Sequence, residues 1–143
     1  MSEQWLDLAR AYFRRFLTES GRSAKAVSNW LQEPRRARKA RGLKLLREWL
    51  SPDQLTQYNA NRYFDVTGSE SGKRYRIHHG TAMNIHEIDH AGRARTGLCF
   101  VPNAHLVAGD VMLAQKIALE TDESGALRVA RNFVPDNLMS LAP

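Results

Sequence analysis

The sequence predicts an α+β fold: N-terminal helices followed by a three- to four-stranded antiparallel β-meander packed by a C-terminal helix. Three observations carry this. Between Tyr63 and Val101, short runs with alternating apolar residues are separated by turn-forming stretches, Gly68-Ser69-Glu70-Ser71-Gly72, His79-Gly80 and Asp89-His90-Ala91-Gly92. Gly109 to Glu120 is apolar most of the way round a helical period, the pattern of a helix buried against other structure. Residues 3–61 instead recur at three- and four-residue steps and hold the excess positive charge. The implied division is a basic helical region at 1–61, a meander plus helix at 62–133, and a tail at 134–143.

The first helix spans residues 3–18, with Trp5, Leu8, Ala9, Tyr12, Phe13, Phe16 and Leu17 in one wide stripe. That stripe exceeds what a small meander needs, so Trp5, Tyr12, Phe13 and Phe16 are expected to form a homo-oligomer interface or to dock on a larger assembly. A short helix from a Ser23 cap to Leu31 follows, ended by Pro34. A third helix is expected from Arg35 to Leu50. Ala40, Leu43, Leu46, Trp49 and Leu50 form its apolar side, and Arg35, Arg36, Arg38, Lys39, Arg41, Lys44 and Arg47 its other face. Ser51-Pro52-Asp53-Gln54 opens a fourth, with Ser51 as cap, Pro52 in the first turn and Gln54 reaching back.

In the meander, Phe64 and Val66 share one face of the first strand. Tyr75 and Ile77 share one face of the second, opposite Arg74, Arg76 and His78. The third strand, near Ala82–Ile88, places Met83 and Ile85 inward. Ile88 is out of phase, which implies a bulge near Glu87. The fourth, Thr96–Val101, ends at Pro102. Gly109-Asp110 is read as the cap of a helix from Val111 to about Asp122, with Lys116 and Glu120 paired one turn apart. Gly125 breaks it, and Ala126–Phe133 continues as a second helical piece.

The chain has 143 residues, 43% of them hydrophobic and 25% charged, enough for one soluble core. Its net charge of +6 is asymmetric. Residues 1–50 hold twelve Lys/Arg against five Asp/Glu, a net of +7, and residues 51–143 hold nine against ten, a net of −1. Cys99 is the only cysteine, so no intramolecular disulfide forms, which fits a reducing compartment. Met1-Ser2-Glu3-Gln4 lacks a signal-peptide start, and no apolar run approaches the ~20 residues that cross a bilayer. The expected location is the cytoplasm, without membrane contact.

Phe64-x-Val66-x-Gly68, Gly72-x-x-Tyr75-x-Ile77, Cys99-Phe100-x-Pro102 and the Gly109–Glu120 run resemble stretches of small uncharacterised bacterial and phage-associated proteins; no activity comes with that likeness. Ala26-Val27-Ser28-Asn29-Trp30-Leu31, with Gly21 as turn glycine, resembles the recognition helix of helix-turn-helix DNA-binding proteins. The resemblance implies that Lys25, Ser28 and Asn29 reach base edges and phosphates. Arg22, Ser20 and Leu17 depart from that motif, and the plainer reading is an amphipathic helix of an all-α cap.

Arg35 to Arg47 carries seven basic residues in thirteen and no acid. Repelling i,i+4 pairs such as Arg35/Lys39 make this costly as a merely solvated face. Arg35, Arg36, Arg38, Lys39, Arg41 and Lys44 are therefore expected to meet an anionic partner, duplex DNA, RNA or an acidic protein. Among His78, His79, His86, His90 and His105, His86-x-x-x-His90 has a metal-like spacing for a helix, but it spans a strand end and a turn and so shares no face. With one cysteine and no His-Glu-x-x-His, no metal or cofactor is expected, the alternative being a zinc site built from Cys99, His105 and a strand histidine. Cys99 lies in an apolar run that blunts a thiol, and neither a phosphate loop nor Gly-x-Ser-x-Gly occurs, so no catalytic residue is assigned and the sequence leans away from an enzyme. The expected function is a small DNA-associating regulatory or accessory protein; the alternative is an assembly subunit whose basic helix binds an acidic protein.

Overall fold

The computed structural model describes residues 34–100 and 106–136. In chain order these form helices α1 (Arg35–Trp49) and α2 (Pro52–Asn61), then strands β1 (Tyr63–Thr67), β2 (Arg74–His78), β3 (Ile85–Ile88) and β4 (Ala94–Cys99). Helices α3 (Ala108–Thr121) and α4 (Glu123–Val129) follow, then strand β5 (Arg131–Phe133). The strands lie in sequence order, each antiparallel to the next.

Alternation builds the sheet as the sequence predicts. Phe64 opposes Ile77 and Val66 opposes Tyr75, and all four are buried on the face that meets α3. Ile85 and Leu98 extend that face, and Met112 and Leu119 of α3 complete the core with Leu46 and Leu50 of α1 and Tyr58 of α2. A register shift between Glu87 and Ile88 is the predicted bulge. The Ser51/Gln54 capping box forms with both reciprocal bonds, 3.3 and 3.1 Å. Helix α2 also covers the β1 edge, which would otherwise present unpaired backbone groups. Gln57 Oε1 accepts from Asp65 N–H at 2.8 Å, and Gln54 Nε2 donates to the Asp65 carbonyl at 2.9 Å.

Several expectations are corrected. The sheet has five strands, not three or four. Residues 126–133 do not form one helical piece: α4 ends at Val129, and Arg131–Phe133 pairs with β4. Phe133 finds its place because Gly97 opposite lacks a side chain; a Cβ there would sit 2.3 Å from the Phe133 ring. The break between α3 and α4 falls at Asp122 rather than Gly125, since the Asp122 carboxylate accepts from Gly125 N–H at 3.0 Å. Helix α3 starts at Ala108 with Val107 as cap residue, so Gly109 and Asp110 lie inside its first turn instead of capping it. Gly109 serves packing: a Cβ would lie 2.2 Å from the Gly42 carbonyl carbon, so the two glycines let α1 and α3 cross in backbone contact.

Strand β3 begins only at Ile85. Met83, expected inward, is 57% exposed with φ of 50°, and Asn84 takes the interior place. The Asn84 and Gln115 amides bond each other twice, both at 2.9 Å, which satisfies two buried polar groups and clasps the β2–β3 loop to α3. Strand β4 begins at Ala94, its register with Ile88 set by the bulge, and Cys99 is half-buried. On α1, Ala40 and Trp49 are exposed, and the buried line is Gly42, Leu46 and Leu50.

The β1–β2 turn is tied to α4 by one carboxylate. Glu123, 1% exposed, accepts from the Glu70 and Ser71 N–H groups at 2.9 and 2.7 Å, from Ser71 Oγ at 2.5 Å and from Tyr75 Oη at 2.6 Å. Burial pushes its pKa up, but the bonds from Ser71, Tyr75 and the backbone outweigh this and hold it down at about 2. No helix among the described residues is long and apolar enough to cross a membrane.

Candidate anion-binding cleft and basic helix

Helix α1 begins against its own dipole. Its first turn contains no acid and Pro34 offers no side-chain cap, while Arg35, Arg36 and Arg38 crowd the positive end. Cations there cost roughly 0.3–1 kcal/mol each when nothing answers them.

The seven cations do not share one face, contrary to the sequence reading. Arg35 and Lys39 fall at helical spacing with Gly42 and Leu46, so they continue the inward-facing line beyond the end of the core. With Arg38 they form one wall of a cleft of about 380 Å³. His79 and Thr81 of the β2–β3 loop form a second wall, and Ala108 and Gly109 at the start of α3 a third, over a floor that includes Leu43 and Val107. Arg36, Arg41, Lys44 and Arg47 are exposed away from it. Arg47 also stands over the Tyr58 ring at 6.0 Å, and Arg41 offsets the charge of Asp110.

The cleft is electropositive. Among the described residues no carboxylate lines it, and none pairs with Arg35, Arg38 or Lys39. Arg38 is half-buried, and its Nε is shut from solvent with no hydrogen-bond partner among the described residues. Val107 gives α3 no side-chain cap, which leaves the Ala108 and Gly109 N–H groups without a partner among the described residues. The N-terminus of α3, the positive end of a dipole, thus lies beside three cations from the first turns of α1.

His79 is held in a defined state. Its Nδ1 lies 2.8 Å from Tyr58 Oη and 3.4 Å from an Arg62 guanidinium nitrogen. Arginine only donates, so Nδ1 is the acceptor, Tyr58 Oη donates to it, and the ring proton sits on Nε2. Burial, then the nearby Arg62 and Lys39 charges, lower the His79 pKa, so the ring is neutral at pH 7. Arg62 is placed by a left-handed backbone, φ 60°, at the end of α2, and its guanidinium stacks on Tyr58 at 4.9 Å. Its carbonyl accepts from His79 N–H at 2.9 Å.

Asp110 is the nearest buried acid. It is 8% exposed against Gly42, and burial raises its pKa to about 6 although Arg41 pulls it back. The remaining histidines are apart from the cleft. His78 and His86 lie together on the sheet's other face with ring centroids 4.8 Å apart and planes inclined at 59°, and His90 sits in the exposed β3–β4 turn. Beside that pair, Asp65 is clamped by Arg76 at 2.8 Å and Arg74 at 2.9 Å, so both cations are already engaged within the chain. No group of three His, Cys, Asp or Glu among the described residues is placed to hold a metal.

Of the residues singled out in sequence, Arg35, Arg38 and Lys39 come together in the cleft, while Arg36, Arg41 and Lys44 stay on the outer side of α1. Lys25, Ser28, Asn29, Trp5, Tyr12, Phe13, Phe16 and His105 lie outside the described residues. Tyr58, Arg62 and the α3 N-terminus were missed; the Arg62–His79 link joins residues far apart in sequence and has no local signature. No protein-family model, curated protein or solved structure matches this chain.

Proposed function

We propose that this chain is a small DNA-associating protein that grips the phosphate backbone through the outer side of α1. The observation that supports it is the row Arg36, Arg41, Lys44 and Arg47, all exposed on a helix with no acid before Glu48. At 1.5 Å rise per residue the row covers about 16 Å, a length that faces roughly five phosphates on one strand of a duplex. Such contacts release counterions and read no sequence; sequence preference would need base-edge contacts from elsewhere in the chain, and Lys25, Ser28 and Asn29 are the candidates. The basic helix is anchored to the core through Gly42 and Leu46, and through Leu50 at its C-cap, so its cations are presented on a fixed scaffold.

The test is fluorescence anisotropy with a random-sequence duplex across a salt series. Four phosphate contacts predict an affinity that falls about 10²-fold between 50 and 200 mM salt. Arg36→Ala with Lys44→Ala should weaken all sequences alike and flatten the salt slope by about two phosphate equivalents. Absence of binding at low salt rejects the DNA reading and leaves an acidic protein as the partner of this face.

A further inference from the structure

We propose that the cleft between α1, α3 and the β2–β3 loop is a binding site for a phosphate monoester, distinct from the outer side of α1. Arg35, Arg38 and Lys39 supply the charge, the Ala108 and Gly109 N–H groups the backbone donors, and His79 a neutral Nε2–H donor.

The groups are of one kind. Three side chains that can only donate line one wall. The helix end opposite offers N–H groups that no side chain caps. His79 has its one acceptor nitrogen occupied by Tyr58, so the edge left to it is a donor as well. Cations and donors dominate the described lining, which holds no carboxylate, and such a wall favours an anion rich in acceptors over a cation. Arg38 adds an observation independent of the helix end, a guanidinium Nε withdrawn from solvent and unbonded among the described residues. By contrast, the buried carboxylate of Glu123 is met by four donors.

The number of donors favours a terminal phosphate. A monoester presents three free oxygens and close to two negative charges at pH 7, whereas a diester within a strand presents two oxygens and one charge. A volume of about 380 Å³ admits the phosphate with a small part of what bears it. Two sources share this chemistry: the 5′-phosphate at a nucleic-acid end and a free phosphorylated small molecule.

The experiment uses the full chain and inorganic phosphate. Phosphate is titrated against sodium chloride of equal ionic strength, with binding read by calorimetry and by the ¹⁵N resonances of the His79 ring. Phosphate should bind with millimolar or tighter affinity and move the His79 Nε2 signal, and chloride should do neither. Arg38→Gln with Lys39→Ala should weaken phosphate at least tenfold without lowering Tm in chloride, because these side chains supply no core. Arg36→Ala with Lys44→Ala should leave phosphate binding unchanged, which separates this site from the duplex-binding face. An oligonucleotide bearing a 5′-phosphate that outcompetes its 5′-hydroxyl twin tenfold supports the site and identifies a strand end as the source. Equal binding of the twins, with phosphate affinity retained, supports it and points to a small molecule. Equal responses to phosphate and chloride, or undiminished phosphate binding by the Arg38/Lys39 variant, overturn it.

Discussion

Glu123 and the α1–α3 cleft treat charge in opposite ways. Glu123 is a lone acid enclosed by four donors from the β1–β2 turn and β2. The cleft gathers cations and donors with no carboxylate among its described lining. A buried charge with complete partners belongs to the fold, because every bond it can make is made within the chain. A set of like charges without partners raises the energy of the unliganded protein, and an anion would lower it. The first arrangement should therefore answer to stability measurements, and the second to ligand.

The largest effect expected from breaking this contrast is at Glu123. Glu123→Ala leaves the buried Tyr75 hydroxyl and the turn N–H groups without their acceptor. It should cost about 3 kcal/mol or more and lower Tm by roughly 10 °C, while Arg38→Gln with Lys39→Ala leaves Tm level or higher. Thermal unfolding followed by circular dichroism compares them directly, and a loss below about 1 kcal/mol at Glu123 would show the contrast to be false.

The same carboxylate sets an acid limit. Its folded pKa of about 2 lies below its ordinary value of 4.5. Its contribution is thus complete above pH 4.5 and drains away as the pH falls towards 2, when the folded state too must take up the proton. Urea unfolding of wild type and Glu123→Gln should differ by about 2–3 kcal/mol at pH 6 and converge near pH 2. A difference independent of pH would mean that shape, not charge, holds the turn.

Much of the scaffold was legible because its signals are local. The alternation of Phe64 and Val66 or Tyr75 and Ile77, the Ser51/Gln54 box and the phase slip at Glu87 each need only a few neighbouring residues. Strand β5 was not, since three residues carry no period and its warrant is the absent side chain of Gly97 across the sheet. The cleft lies between these cases. Arg35, Lys39, Gly42 and Leu46 follow one helical line, so spacing alone puts the first two on the core side. Polarity alone does not separate them from the outer cations; helical angle does. His79, Tyr58 and Arg62 meet only through the fold, and no local pattern announces them.

Asp110 is the inverse of Glu123, an acid raised where the other is lowered. Its folded pKa of about 6 exceeds the ordinary 3.8, so ionisation weighs on the folded state as the pH climbs from 4 to 6 and persists above. Asp110→Asn keeps the shape and removes the charge. It should stabilise the protein by about 1–2 kcal/mol at pH 7.5, with the gain vanishing near pH 4. Destabilisation at neutral pH would mean that Arg41 and the α3 dipole outweigh burial.

The smallest effect, and the most specific, is expected at Tyr58. Tyr58→Phe preserves the buried ring and its edge contact with Phe64, with centroids 6.2 Å apart, and deletes only the hydroxyl that donates to His79. Stability should fall by about 1 kcal/mol, the net worth of one hydrogen bond. The consequence for the cleft is different in kind. Arg62 approaches Nδ1 at only 3.4 Å, too long to fix the ring alone, so the proton is freed to redistribute between the two nitrogens. Imidazole ¹⁵N shifts should move from a pure Nε2–H pattern towards a mixture, and phosphate affinity should drop a few-fold against the tenfold or greater loss expected for Arg38→Gln with Lys39→Ala. A structural role for the hydroxyl would lower Tm and leave the tautomer untouched. A positioning role moves the nitrogen shifts and the phosphate affinity together, beside the small Tm loss of one hydrogen bond, and it fails if the Nε2–H pattern survives in Tyr58→Phe.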